Sequence, residues 1–164
     1  LPASVIFNNN QKIFKFDDFF AQIKGKGNVA IICKTTENVV FGVAYKIPIK
    51  TYNKMSFDQD ICVFSYVPNA EGGLDFAQFS VCPKESQQVF VMIVKRSNNG
   101  IVNVGSDGAG QFWIGRQEDN SFSVGLSNVF QGLKDKQLTK HNGTSSWSYY
   151  HCVSVIVLHF DQEK

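Results

Sequence analysis

Apolar positions recur along the chain with two different spacings, and the change from one to the other comes near Asn28. Phe16, Phe19, Phe20 and Ile23 fall at i, i+3, i+4 and i+7, which is one face of a helix. Asp17 or Asp18 is placed to cap its start. Gly25, directly after Lys24, can adopt the left-handed conformation that ends helices. From Asn28 onward short β-rich runs alternate with polar punctuation. They predict strands at Val29–Cys33, Val39–Ile47, Ile61–Tyr66, Phe76–Val81, Val89–Val94, Gly100–Val104, Gln111–Ile114, Phe122–Leu126 and Tyr149–Phe160. Between the first two, Thr35-Thr36-Glu37-Asn38 predicts a tight hairpin with Asn38 in the left-handed region. Over Asn128–Leu138 a helix competes with a loop, because Gly132 and Lys134-Asp135-Lys136 interrupt the pattern.

Several of these runs are apolar on both faces, notably Val29–Cys33, Val89–Val94 and Val153–Leu158, so a single sheet with one wet face does not accommodate them. Regular helical segments between the strands are missing, which disfavours a doubly wound parallel sheet. The pattern predicts a mainly β fold with minor α content: a two-sheet antiparallel β-sandwich with small flanking helices. A chain of 164 residues fits one domain, spanning residues 1–164, and is long enough to bury a core without a metal or disulfide framework. It opens at Leu1 without an initiator Met, which fits a piece excised from a longer chain. No apolar run approaches the ~20 residues of a transmembrane helix.

Charge and cysteine usage narrow the function classes. Sixteen Lys and Arg against fourteen Asp and Glu leave a net charge of +2, too weak a field to imply a polyanion partner without a local patch. Lysines do cluster, at Lys12 and Lys15, at Lys24 and Lys26, at Lys46, Lys50 and Lys54, and at Lys134, Lys136 and Lys140. They either protect exposed strand ends or converge into one basic face, with Tyr52 or Tyr149 to stack on bases. Cys33, Cys62, Cys82 and Cys152 each sit in an apolar run with no Cys-x-x-Cys pair, the pattern of buried, reduced thiols in a cytoplasmic or nuclear protein rather than a secreted one.

No constellation of catalytic or metal-binding residues stands out, and no cofactor is implied. His151 and Cys152 are neighbours in a strand and point to opposite faces, so they do not form a thiolate–imidazolium pair. His151 and His159 share a face but are too far apart along one strand for a single zinc. Gly105-Ser106-Asp107-Gly108-Ala109-Gly110 is glycine-rich, yet it lacks the Lys-Ser/Thr ending of a phosphate-gripping loop and leads into a strand. Such a loop serves close backbone approach or positive φ. Asp58 and Asp60 precede a strand, and Glu118-Asp119 occupy a hairpin turn; both pairs are read as solvated turn acids.

The order of these pieces resembles the TLDc domain family, the fold of oxidation-resistance proteins. The likeness runs from the strand Ser4–Phe7 through the helix Phe14–Ile23 and the turn Lys24-Gly25-Lys26-Gly27 to Val29–Lys34. Asn38-Val39-Val40-Phe41-Gly42 is similar to the family's G-x-V-F-G strand, and Cys62-Val63-Phe64-Ser65-Tyr66 to its F-x-F-S-L strand. Gly105–Gly110 with Phe112-Trp113-Ile114 matches the glycine loop and F-x-L-W-L strand. Gly125–Gly132 stands near its C-x-T-F-G-N segment, and Tyr149–Phe160 closes the order. Gln111 stands where the family often has Glu, so the chain reads as a divergent member.

The resemblance implies a non-enzymatic interaction module linked to oxidative-stress protection, with a protein partner; some relatives bind the vacuolar proton pump and promote separation of its soluble and membrane sectors. Phe41, Gly42, Phe64, Phe112, Trp113 and Gly132 are the family-like structural positions. Candidate contacts lie on loops, at Gly105, Ser106, Asp107, Gly108 and Gly110 and at Glu118, Asp119 and Asn120. The alternative is nucleic-acid binding in stress-linked gene regulation, carried by the lysine clusters. A carbohydrate-binding sandwich using Trp113 or Trp147 and a peroxide-reducing thiol rank below both, because these side chains read as buried.

Overall fold

The alternation that begins near Asn28 resolves into two antiparallel sheets. A computed structural model of the chain describes residues 2–9, 14–85, 88–95, 101–107, 110–114, 120–122, 125–134, 137–138 and 148–161. In chain order its elements begin with β1 (Ala3–Asn8), α1 (Phe16–Ile23), β2 (Val29–Thr35), β3 (Val40–Tyr45), β4 (Ser56–Phe57), β5 (Cys62–Pro68) and β6 (Leu74–Ser80). A 3₁₀ turn, Pro83–Glu85, leads to β7 (Val89–Ile93), β8 (Val102–Ser106), β9 (Gly110–Ile114) and β10 (Asn120–Phe122). The short α2 (Leu126–Val129), β11 (Ser148–Tyr150) and β12 (Cys152–Phe160) complete the order. The first sheet runs β1-β12-β2-β3-β5-β6 and the second β11-β10-β9-β8-β7-β4.

Side chains from the inner faces of both sheets form one buried cluster, the predicted sandwich core. Phe41 of β3 and Phe112 of β9 meet across the gap with ring centroids 6.2 Å apart, and Tyr150 packs edge-on against Phe41 at 5.1 Å. The apolar face of α1 joins this core as its spacing predicts, with Phe16, Phe19, Phe20 and Ile23 all buried. Phe19 packs edge-on against Phe7 of β1 at 5.3 Å. Each such buried phenylalanine contributes about 1.5–3 kcal/mol relative to an exposed one.

Local turn chemistry follows the sequence at two predicted points: Gly25 has φ 74° and Asn38 has φ 60°. The helix start does not. Lys15 is the N-cap residue and makes no side-chain cap bond; Asp17 instead reaches the Lys95 ammonium at 2.7 Å. That contact raises the Lys95 pKa, while the first-turn carboxylates still complement the helix dipole.

Tertiary structure corrects two predicted boundaries and resolves one open alternative. The Phe122–Leu126 run is not a strand throughout: Phe122 belongs to β10, whereas Leu126 opens α2 after Gly125 at φ 88°. Between helix and loop for Asn128–Leu138, the described residues favour the loop: α2 ends at Val129, and Gly132 has φ 79° in the turn beyond it. Tyr149–Phe160 is not one strand: β11 pairs with β10 in the second sheet, β12 pairs with β1 and β2 in the first, and His151 makes the crossing. A further irregularity follows at once. The β12–β2 register shifts between Cys152 and Ser154, so Cys152, Val155 and Val157 all enter the core, although strict alternation would put residues 152 and 155 on opposite faces.

Candidate functional site

Within the glycine-rich run, Gly105 lies near the end of β8 and Gly110 opens β9, and both are close-packed. A Cβ on Gly105 would overlap the Gly110 carbonyl oxygen, and one on Gly110 would lie 2.7 Å from the Gly125 carbonyl carbon. Gly105, Ser106 and Gly110 are buried and Asp107 is exposed. The two glycines therefore allow strands and the α2 entry to approach closely, the structural role the sequence allows for them. Gly108, Glu118 and Asp119 lie outside the described residues. For Asn120 the backbone is described, pairing opposite Tyr150 at the start of β10.

The family-like positions come together in pairs. Phe41 and Phe112 make the inter-sheet contact described above. Gly42 lies opposite Phe64 in the β3–β5 ladder, and a Cβ on Gly42 would come 2.7 Å from Phe64 Cζ and overlap the Ile31 carbonyl oxygen. Trp113 is half-buried, and its backbone carbonyl accepts the Tyr150 hydroxyl. Trp147 lies outside the described residues.

Two acids predicted to be alike behave differently. Asp60 is exposed and pairs with the Lys46 ammonium at 3.3 Å. Asp58 is buried: its Oδ2 accepts the backbone N–H groups of Lys46 at 2.6 Å and Ile47 at 3.1 Å, and its Oδ1 accepts that of Asp60 at 2.9 Å. Asp58 is thus a structural tie from the end of β3 to the residue after β4, not a solvated turn acid. Both line an open groove of about 650 Å³ with Lys46, Pro48 and Phe57.

The four cysteines divide. Cys33 and Cys152 are buried and their sulfurs lie 2.7 Å apart, whereas Cys62 and Cys82 are partly exposed, so uniform burial does not hold. Loss of solvation, then the contact with Cys152, pushes the Cys33 thiol well above its usual range; burial also raises Cys62. Neither shift favours the thiolate that peroxide chemistry requires. The Cys33–Cys152 contact was not legible from sequence, because it depends on the slipped register in β12. His151 is exposed while Cys152 is buried, in keeping with their predicted opposite directions. Among the described residues no group of three His, Cys, Asp or Glu side chains is placed to hold a metal ion, and no helix is long and apolar enough to cross a membrane.

Two lysine clusters adjoin. The Gly25 N–H donates to the Ile49 carbonyl at 2.8 Å and the Asn28 N–H to the Lys46 carbonyl at 3.2 Å, which brings the Lys24–Lys26 turn beside the Lys46–Lys50 segment. Toward the other end of the first sheet, the β5–β6 hairpin exposes Tyr66 (39%), Leu74 (55%) and Phe76 (55%). Tyr66 and Phe76 face each other in the ladder with ring centroids 4.8 Å apart.

No curated protein matches the chain. The family model of the TLDc domain matches residues 2–146, a span that takes in both halves of the Phe41–Phe112 contact, the Gly42–Phe64 pair and the close-packed glycines of β8–β9. With that match across most of its length, the chain belongs to the TLDc domain family.

Proposed function

We propose that this chain is a non-enzymatic protein-interaction module of the oxidative-stress response, and that its partner is the vacuolar proton pump, the partner the family resemblance nominates. The observation that carries the reading is the TLDc match over residues 2–146. The exposed Tyr66, Leu74 and Phe76 on β5–β6 support it, because ring pairs already ordered on a strand make contact surface at low entropic cost. The partner's contacts fall on this hairpin and on the turn at Asp107. The test is to mix the purified chain with the purified pump and measure binding and release of the soluble sector. Wild type is expected to bind and release it, and the double variant Tyr66→Ser/Phe76→Ser to bind at least tenfold more weakly with an unchanged melting temperature. Failure of wild type to bind rejects the pump as partner; full binding by the variant rejects the hairpin as the surface.

A second reading, nucleic-acid binding, is favoured by the adjoining Lys24–Lys26 and Lys46–Lys50 segments. It requires that affinity for labelled DNA or RNA fall steeply with salt, with a log–log slope of about −0.7 to −0.9 per phosphate contact. Binding indifferent to salt, or none, removes it.

A further inference from the structure

We propose that Cys33 and Cys152 are a site of oxidative modification, closing reversibly into an intramolecular disulfide when hydrogen peroxide is the oxidant. The geometry carries this. The two sulfurs are 2.7 Å apart, nearer to each other than either is to its carbonyl contact, 3.7 Å for Cys33 on Lys34 and 3.3 Å for Cys152 on Ser154. A disulfide bond is about 2.05 Å long, so bond formation requires less than about 1 Å of travel.

The backbone already holds the pair in place. Cys33 lies opposite Val155 and Cys152 opposite Thr35 on adjacent antiparallel strands, and the register shift between Cys152 and Ser154 turns the Cys152 side chain into the core. Ladder pairs flank both residues, so the sulfurs meet without rearrangement of β2 or β12.

The chemistry balances with one peroxide. One sulfur attacks the O–O bond, forming a sulfenic acid and releasing water. The second thiol, losing its proton, displaces hydroxide from the sulfenic sulfur, which leaves as a second water. The two sulfurs together lose two electrons, and the peroxide oxygens gain them. With 0% and 2% exposure, the thiols meet peroxide only when the start of β12 opens locally beside the exposed His151 crossing. Burial keeps Cys33 protonated, which also slows the step. The product is then shielded from reductants and ties together strands whose cysteines are 119 positions apart in sequence.

The proposal stands apart from the choice of partner, and its test needs none. The purified chain is treated with hydrogen peroxide, in buffer and in urea below the unfolding transition, then alkylated in denaturant and mapped by non-reducing peptide mass spectrometry. The expected product is a cross-link between the Cys33 and Cys152 peptides, a mass loss of about 2 Da, and a rise in melting temperature of about 5–10 °C that dithiothreitol reverses. A Cys62→Ser/Cys82→Ser variant, which keeps the buried pair, is expected to behave the same way. If Cys33 and Cys152 both remain alkylatable after either treatment, or pair instead with Cys62 or Cys82, the proposal is overturned.

Discussion

The Asp58 carboxylate accepts the Lys46 backbone N–H at 2.6 Å and so joins the two sheets at one end of the sandwich. Lys46 follows β3 of the first sheet, and Asp58 follows β4 at the edge of the second. With Ile47 and Asp60 also donating to this carboxylate, a single side chain satisfies three backbone groups that no ladder serves.

Asp58→Ala is therefore expected to cost about 2–4 kcal/mol, since backbone donors at a partly buried site lose a charged acceptor. Asp58→Asn, which keeps one acceptor oxygen, should cost less. Urea unfolding midpoints at constant m-value measure both; a loss below about 0.5 kcal/mol in the Ala variant would contradict the assigned role.

Tyr45 supplies a pH test. Its hydroxyl is buried with no hydrogen-bond partner among the described residues, and loss of solvation raises its pKa. Below about pH 10, the range of a free tyrosine, both folded and unfolded states carry the proton and the contribution to stability is constant. Above it the unfolded chain loses the proton first, so stability falls as pH rises toward the folded value. Tyr45→Phe is expected to be neutral or stabilising by about 1 kcal/mol at pH 7 and to flatten the alkaline loss. Tyr150, also raised by burial, should retain a share of it. Unfolding free energies from pH 7 to 11 decide the matter; equal alkaline slopes for wild type and Tyr45→Phe would refute the account.

Two family-like glycines separate two physical demands. At Gly42 a Cβ would strike the Ile31 backbone and the Phe64 ring, whereas Gly132 has open space around it and a φ of 79°. Gly42→Ala should cost about 2–4 kcal/mol through overpacking against backbone, and Gly132→Ala about 1 kcal/mol through strain alone. Thermal or urea unfolding ranks them; the reverse order would show that the Gly42 approach relaxes cheaply.

Most of the fold was legible where the information is local. The i, i+3, i+4, i+7 spacing of Phe16, Phe19, Phe20 and Ile23 could dock only one face, and runs such as Val29–Cys33, apolar on both sides, required cover on both sides. Much less of the candidate site was legible. Asp58 and Asp60 look alike in sequence, and only pairing with the end of β3 buries the first and leaves the second in an exposed ion pair. Tyr66 and Phe76 stand on the face of β5 and β6 opposite the buried Val63, Ser65 and Phe79, and the alternation within a strand does not declare which of its two faces the other sheet will cover.

The amino-acid order by itself determined the helix face, most strand positions, the left-handed turns at Gly25 and Asn38, and enough ordered motifs to indicate the family. Tertiary structure alone decided that the chain changes sheets at His151, that the register slips beside Cys152, and that the Cys152 sulfur therefore meets Cys33. Helix and strand periodicity arises from contacts a few residues apart. Register, by contrast, is set by the partner strand, here 119 positions away between the two cysteines, and a one-residue slip exchanges the faces of every side chain beyond it.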